Sequence, residues 1–260
     1  AGDVKPRARL GAAMLAGLLL GCAAPPLADA RRSGFDDMGE STRALQRDDA
    51  ANPAMLWVQG GRSAWGRAPA ASSRACASCH GDGTAMAGVA TRYPAWDEGL
   101  GRPVTLRHRI NLCRERHQGQ PHWPAEADDL IGLEAWLGLM SRGQAIAPPP
   151  DPRLAPHRAA GEALFKARIG QLELSCAQCH DERAGGLLGG TRMPQGHATG
   201  YPIYRLEWQG MGSVGRRIRN CMTGVRAEPL AQGSLEMTQL ELYLASRAMG
   251  MPMETPAVRP

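Results

Sequence analysis

The feature that most limits how this chain can fold is a pentapeptide that occurs twice, Cys76-Ala77-Ser78-Cys79-His80 and Cys176-Ala177-Gln178-Cys179-His180. Cys-x-x-Cys-His is the c-type haem attachment pattern. Its two thiols form thioethers to the porphyrin, and the adjacent histidine becomes the proximal iron ligand. All three side chains must face one porphyrin, so each pentapeptide has to make a short helical turn. Two copies predict two covalently bound haem c groups, held by Cys76, Cys79, Cys176 and Cys179, with His80 and His180 on the irons. The 32 glycines and 20 prolines, set against few aromatic residues, suit a loop-rich protein that takes part of its core from something other than side chains.

The surroundings of the motif repeat as well. Gly61-x-x-x-Trp65 and Gly161-x-x-x-Phe165 each begin fifteen residues before the first cysteine. A glycine with an aromatic four residues later, on an amphipathic helix, is how the first helix of a small cytochrome c meets the last. Later landmarks recur in the same order. Tyr93-Pro94-Ala95-Trp96 answers Tyr201-Pro202-Ile203-Tyr204, and Arg109-x-x-x-Cys113 answers Arg217-x-x-x-Cys221. Leu133-Glu134-Ala135-Trp136-Leu137 answers Leu240-Glu241-Leu242-Tyr243-Leu244. Such a repeat predicts a duplicated domain. The expected fold is all-α: two tandem class-I-like cytochrome c domains, 31–150 and 151–260, meeting in the stiff proline-rich stretch Gln144 to Pro156.

Within each domain the periodicity places the helices. Asn52-Pro53 opens one through about Trp65, with Met55, Leu56, Val58 and Trp65 as its apolar side. Residues 104–117 form a second, with Cys113 near its end. Residues 127–140 form a third, with Leu130, Leu133, Trp136, Leu137 and Met140 as one stripe. In the other half, His157 to Arg168 is helical, Val214 to Asn220 is helical and followed by Cys221, and Ser234 caps the last helix. Gly185 to Gly190 is expected to be a flexible loop over the second haem. Residues 31 to about 52 make an irregular lead-in or a short helix outside the haem fold, and 250–260 an extended tail lying on the other domain or on a partner.

The N-terminus has the form of an export signal over residues 1–30. Lys5, Arg7 and Arg9 precede an apolar run from Leu10 to Leu20, and Ala28-Asp29-Ala30 is a small-x-small cleavage site. The run is too short to span a bilayer. A lipoprotein site at Leu19-Leu20-Gly21-Cys22 is the competing reading. Export places the mature chain in the periplasm, an oxidising compartment. The formal charge of +5 favours anionic partners mildly. It does not argue for nucleic acid, because no basic patch is interleaved with aromatics.

Each haem iron needs a sixth ligand or an open position. Methionine is the usual ligand, but Met140 and Met237 fall inside helices, and Met86 and Met193 stand in no matched position. Met222 adjoins Cys221 but answers Arg114. Cys113 and Cys221 do match, and each is expected to offer a thiolate to its own iron. A disulfide between the two, or two buried free thiols, are the competing readings. Thiolate ligation lowers the potentials relative to His/Met haems.

Both Cys-x-x-Cys-His motifs, the Asn52-to-Trp65 helix opening, Cys113, and above all Arg217-x-x-x-Cys221-Met222 give a chain that resembles the SoxA family. Its members are the larger cytochrome subunits of the SoxAX complex of bacterial sulfur oxidation. Retention of Cys76, Cys79, His80 and Cys113 makes the resemblance one to the dihaem type. It implies an L-cysteine S-thiosulfotransferase that pairs with SoxX, a small monohaem cytochrome, and joins thiosulfate oxidatively to a cysteine of the carrier SoxYZ. Two electrons are released toward an acceptor cytochrome c. The resemblance further implies that Cys221 is the active-site residue, carried as a persulfide on the second haem iron, and that Arg217 binds substrate. An arginine one helical turn from a thiolate suits that role, since cations lower thiol pKa values and a guanidinium fork matches a sulfonate-like oxyanion. Arg216, Arg219, Arg226 and Arg247 could add to the field. Two other classes of function remain. A non-enzymatic dihaem electron carrier would have methionine ligands and be indifferent to Cys221. A dihaem peroxidase would need a displaceable ligand.

Overall fold

The structure is a computed structural model that describes residues 1–3 and 30–260; the export-signal reading over 1–30, with Cys22, falls outside the described residues apart from residues 1–3 and Ala30. After α1 (Glu40–Arg47) come α2 (Met55–Gly66) and α3 (Ala77–His80). The β1–β2 hairpin (Ala95–Asp97, Arg102–Val104) then leads to α4 (Leu106–Gln118) and α5 (Asp128–Leu139). The same order then recurs. It runs through α6 (Leu154–Lys166), a π-helical turn at Gln178–Glu182, and a small hairpin, β3 (Leu187–Leu188) with β4 (Thr191–Arg192). The hairpin β5 (Ile203–Arg205)–β6 (Gly210–Gly212) follows, then α7 (Val214–Gly224) and α8 (Leu235–Arg247). The chain ends on β7 (Ala257–Arg259). Both halves lie within one unit, Arg31–Pro260.

Glycine decides the helix crossings. A Cβ on Gly61 of α2 would stand 2.0 Å from the Gly132 carbonyl oxygen of α5, and one on Gly161 of α6 would stand 2.0 Å from the Gln239 carbonyl oxygen of α8. At both crossings the backbones touch, which no larger residue permits. The aromatic four residues on then reaches across. Trp65 packs on Trp136 with ring centroids 4.9 Å apart and donates its indole N–H to the Gly81 carbonyl at 2.9 Å. Phe165 packs on Tyr243 at 5.3 Å. The glycine–aromatic spacing thus does in both halves what the sequence predicts of it.

Several expectations need correction. Leu56 is 67% exposed rather than part of the apolar side. The buried face of α2 is Val58, Gly61, Ala64 and Trp65, and a residue two before Val58 points about 200° away from it. α5 is not a stripe but is buried almost all round, Leu130, Ile131, Leu133, Ala135, Trp136 and Leu137 included, because α2, α4 and β6 all pack on it. The Gly185-to-Gly190 stretch is the β3–β4 hairpin rather than a structureless loop, with Gly189 and Gly190 at positive φ in its turn. Three small sheets join the helices. Their strands have two or three residues each, too few to show a period-two pattern in sequence.

The tail and the proline-rich stretch are both tied down. β7 pairs in parallel with β5, Tyr204 opposite Val258, and Val258 enters the core of the first half beside Trp136 and Met211. Ile146 is buried against Ala248, Met251 and Met253 and exchanges backbone hydrogen bonds with Met251 and Gly250. Asn52 joins the helix start to the tail. Its buried amide accepts from the Ala54 N–H at 2.9 Å and donates to the Pro256 carbonyl at 3.0 Å. Asn52→Ala leaves both groups without a partner, so it is expected to cost about 1–3 kcal/mol, measured by thermal unfolding.

Candidate functional site

Two helices carry the matched cysteines, and both have their first turn locked. Thr105 caps α4, accepting from the His108 N–H at 3.2 Å, while the Thr105 N–H donates to the His108 ring at 3.3 Å. Ser213 caps α7, accepting from the Arg216 N–H at 3.0 Å. The Ser213 hydroxyl donates in turn to the Glu126 carboxylate at 2.5 Å, which also accepts from Gln232 at 3.0 Å. A carboxylate just ahead of α5 thereby aims the helix that carries Cys221. With their starts fixed, each helix presents its arginine and cysteine one turn apart on one face, Arg109 with Cys113 and Arg217 with Cys221. Cys221 lies inside α7, which runs on to Gly224, rather than after the helix as expected.

Each helix brings its cysteine to its own Cys-x-x-Cys-His turn. Cys113 lies near Cys76 and Cys79, and burial holds its thiol above the usual range against the pull of Arg109 and Arg116. Cys221 lies near Cys176; burial, with that neighbour's charge, pushes the Cys176 thiol up to about 11. All six described cysteines are free, so no disulfide joins Cys113 to Cys221.

His180 is oriented for a ligand. His180 Nδ1 stands 2.7 Å from the Pro194 carbonyl oxygen, so an N–H there donates to it and leaves Nε2 available. Burial, with Arg217 and Arg247 nearby, holds the imidazole below its usual pKa, in the neutral form that binds metal. His80 faces Trp65 at 5.6 Å, as His180 faces Phe165 at 6.4 Å. Beside Cys76 a cleft of about 190 Å³ is lined by Ala64, Arg67, Pro69, Arg114, Gln118, Trp123 and Asp129. There Arg114 Nε and Gln118 Oε1 are buried without a partner. Two thiols and an imidazole on each turn, with unsatisfied polar groups beside the first, fit a thiol-attached, metal-centred group with polar substituents. Of the methionines, Met237 is core and the Met222 sulfur accepts from the Leu230 N–H.

The arginines separate into bound and unbound. Arg216 stacks on Trp208 and donates to the Met211 carbonyl; Arg219 donates to the Leu230 carbonyl. Arg247 pairs with Asp181 at 2.5 Å and lies over Phe165, and Arg226 is exposed. In the first half, Arg109 is neutralised by buried Asp97 at 2.7 Å. Its counterpart Arg217 has no side-chain hydrogen bond or ion pair among the described residues, and lies near His180, Tyr201 and Arg205. Sequence reading passed over both Asp97 and Arg205. They stand immediately after the matched Tyr-Pro-x-x segments, so extending the comparison by one residue finds them.

Behind the caps lies an ionic cluster. Arg107 pairs with Glu134 at 3.2 Å and Glu126 at 3.7 Å. Half-buried Glu241 shares that arginine, and burial, with the other two carboxylates, pushes its carboxyl up to about 7. Below the unfolded pKa near 4.3 this group is neutral in both states and costs nothing. Between there and 7 the unfolded chain ionises first, so stability falls as pH rises through that window. Glu241→Gln is expected to flatten the fall and raise stability at pH 8 by on the order of 1–3 kcal/mol, measured by thermal unfolding from pH 4.5 to 8.

The "SoxA/TsdA, cytochrome c domain" family model matches residues 60–146 and 160–253. Each stretch takes in one Cys-x-x-Cys-His turn with its helix-borne cysteine. This chain belongs to the SoxA/TsdA cytochrome c family. It is similar to the L-cysteine S-thiosulfotransferase subunit SoxA of Paracoccus pantotrophus, 36% identical over 87% of this chain and 78% of that one. The SoxA subunit of Rhodovulum sulfidophilum is also 36% identical, over 89% of this chain and 81% of that one. The crystal structure of SoxXA from P. pantotrophus superposes with a TM-score of 0.85 at 36% identity, covering 88% of this chain and 87% of that one. The fold is therefore a cytochrome c fold, and the group the SoxA/TsdA turns accommodate is covalently bound c-type haem. No helix among the described residues is long and apolar enough to cross a membrane.

Proposed function

We propose that this chain is the catalytic subunit of an L-cysteine S-thiosulfotransferase. The observation that carries the reading is the placement of Arg217 and Cys221 one turn apart on α7, beside Cys176 and His180, with the arginine side chain uncommitted. The SoxA names of its relatives supply the reaction class. Thiosulfate and a carrier cysteine thiol become a cysteine S-thiosulfonate, with one proton and two electrons released. Cys76 and Cys79, and Cys176 and Cys179, would hold two haems as thioethers. His80 with Cys113, and His180 with Cys221, would be the axial pairs. The haems, when bound, supply one-electron acceptors and an iron to which sulfur can bind.

The protein's own part is positioning. The Arg217 guanidinium takes sulfonate oxygens and turns the terminal sulfur of thiosulfate toward Cys221. Pro194 and Phe165 orient His180, which would hold the iron of that haem. The matched element order in 31–150 and 151–260 supports two tandem cytochrome c domains that arose by duplication. A SoxX-like monohaem partner follows from the likeness to SoxXA, and a SoxYZ-type carrier, an acceptor cytochrome c and a periplasmic location, after loss of residues 1–30, complete the reading.

The test is reconstitution of the haem-loaded protein with a SoxX-type subunit, a carrier thiol protein and thiosulfate. The expected result is haem reduction accompanied by a carrier that gains the mass of one thiosulfonate group. Haem reduction with no carrier adduct would instead make the protein an electron carrier.

A further inference from the structure

We infer that Arg205 is the second cation of the thiosulfate site, and that exchange of an acidic for a basic residue at one strand position makes the second centre, and not the first, an anion-binding centre. The inference rests on the transferase reading above and adds a residue to it. The position is defined by register. In the first hairpin Asp97 is the last residue of β1 and pairs with Arg102; in the second, Arg205 is the last residue of β5 and pairs with Gly210. The same step separates Arg109 from Arg217 and Cys113 from Cys221, so the two strand ends face equivalent helices.

What stands at that strand end decides what the helix arginine can do. Asp97 is 2% exposed, binds Arg109 at 2.7 Å and faces Arg116 at 3.7 Å. Its backbone-held carboxylate, which accepts from the Leu100 N–H at 2.8 Å, leaves Arg109 neither free charge nor freedom to move. In the second half the carboxylate is gone and a guanidinium replaces it. Arg205 is close enough to Arg217, and dry enough, that burial and that neighbour lower its pKa. Two cations drawn together without a shared carboxylate are unfavourable unless an anion joins them. Arg205 keeps one surface partner, Glu207 at 2.8 Å, whose side chain is 63% exposed, and lies against Trp208 at 5.2 Å. Its Nε is buried with no partner at all. The side chain is thus held in place from the solvent side, with hydrogen-bonding capacity left unused.

The ligand this arrangement fits is a compact oxyanion with two negative charges. One fork from α7 and one from β5 can share the oxygens of a sulfonate end, leaving the terminal sulfur directed along α7 toward Cys221. Tyr201, half-buried beside Arg217 and Cys221, borders the same space. The first centre, with Arg109 already neutralised, has no comparable place for an anion, which fits it for electron transfer alone.

The experiment is titration of thiosulfate into the haem-loaded two-subunit complex by isothermal calorimetry, in parallel with KM and kcat from carrier-dependent haem reduction. Arg205→Gln is expected to weaken thiosulfate binding about 10- to 100-fold, the loss of one charge-assisted contact, with KM rising by a similar factor and kcat changing far less. Arg205→Lys is expected to recover part of the affinity. Arg205→Asp rebuilds the Asp97–Arg109 pair in the second half and is expected to remove binding although Arg217 is present. Unchanged haem spectra and melting temperatures check that the variants are folded. Parental affinity in Arg205→Asp overturns the inference while leaving the transferase reading intact. No thiosulfate binding by the parent, together with turnover that ignores Cys221, overturns both.

Discussion

Cys221→Ala is expected to lower carrier-dependent thiosulfate oxidation by roughly a thousandfold or more, the scale seen when a nucleophile is removed from a catalytic set, while haem attachment survives. The separation follows from the layout. In the proposed arrangement haem attachment rests on the turns at Cys76–His80 and Cys176–His180, and neither contains Cys221. The fold around α7 is set by the Ser213 cap, by buried Ile218 and Met222, and by the Arg219 bond to Leu230. Removing one half-buried sulfur disturbs none of these. What disappears is the sulfur one turn from Arg217, and with it the proposed meeting place of bond formation and electron release. The same change at Cys113 removes the corresponding sulfur beside an arginine already committed to Asp97, so carrier modification is expected to survive it. Turnover and carrier mass, measured together on both variants, check the contrast.

The largest effect on folding is expected at Gly61. A Cβ there would lie 2.0 Å from the Gly132 carbonyl oxygen and 2.6 Å from the Leu133 nitrogen. Those are backbone atoms of α5, the most buried helix of its half, and they have no rotamer by which to retreat. α2 and α5 must move apart. That opens gaps around Val58, Trp65 and Trp136 and lifts Trp65 from the haem-attachment turn it bonds at Gly81. Gly61→Ala is expected to cost about 3 kcal/mol, at or above the upper range for overpacking, and to reduce haem loading at the first turn. Gly60 provides the control. It precedes Gly61 on the same helix and meets nothing within 4 Å, so Gly60→Ala is expected to be neutral or to stabilise by up to about 1 kcal/mol through helix propensity. Thermal unfolding of the two variants side by side separates backbone contact from any general effect of alanine.

What could be read in the sequence was whatever is local or repeated. The haem-attachment turns, the glycine–aromatic crossings and the arginine–cysteine pairs are spacings within one turn or one helix, and each occurs twice. The helix capped by Ser234 was legible for the same reason. What was illegible depends on residues far apart in sequence. Glu126 and Ser213 are 87 positions apart, and neither belongs to a motif. The parallel pairing of β7 with β5 joins the end of the chain to a strand of three residues, too short to declare itself. Leu56 and the α5 stripe failed because periodicity shows which residues are apolar, not how many neighbours will cover a helix. Asp97 and Arg205 are different: both were in plain view, one residue past a matched segment. Their opposite charges made them look like the end of the repeat, when they are where the two halves part in chemistry.

The most direct test of the central claim is low-temperature electron paramagnetic resonance of the oxidised, haem-loaded protein, compared with Cys113→Ala and Cys221→Ala. The arrangement of α4 and α7 over their respective turns predicts two low-spin histidine/thiolate signals, one lost with each cysteine and the other left unchanged. Signals of the histidine/methionine kind that persist through both substitutions would contradict it, and would remove Cys221 from the iron and from the chemistry proposed for it.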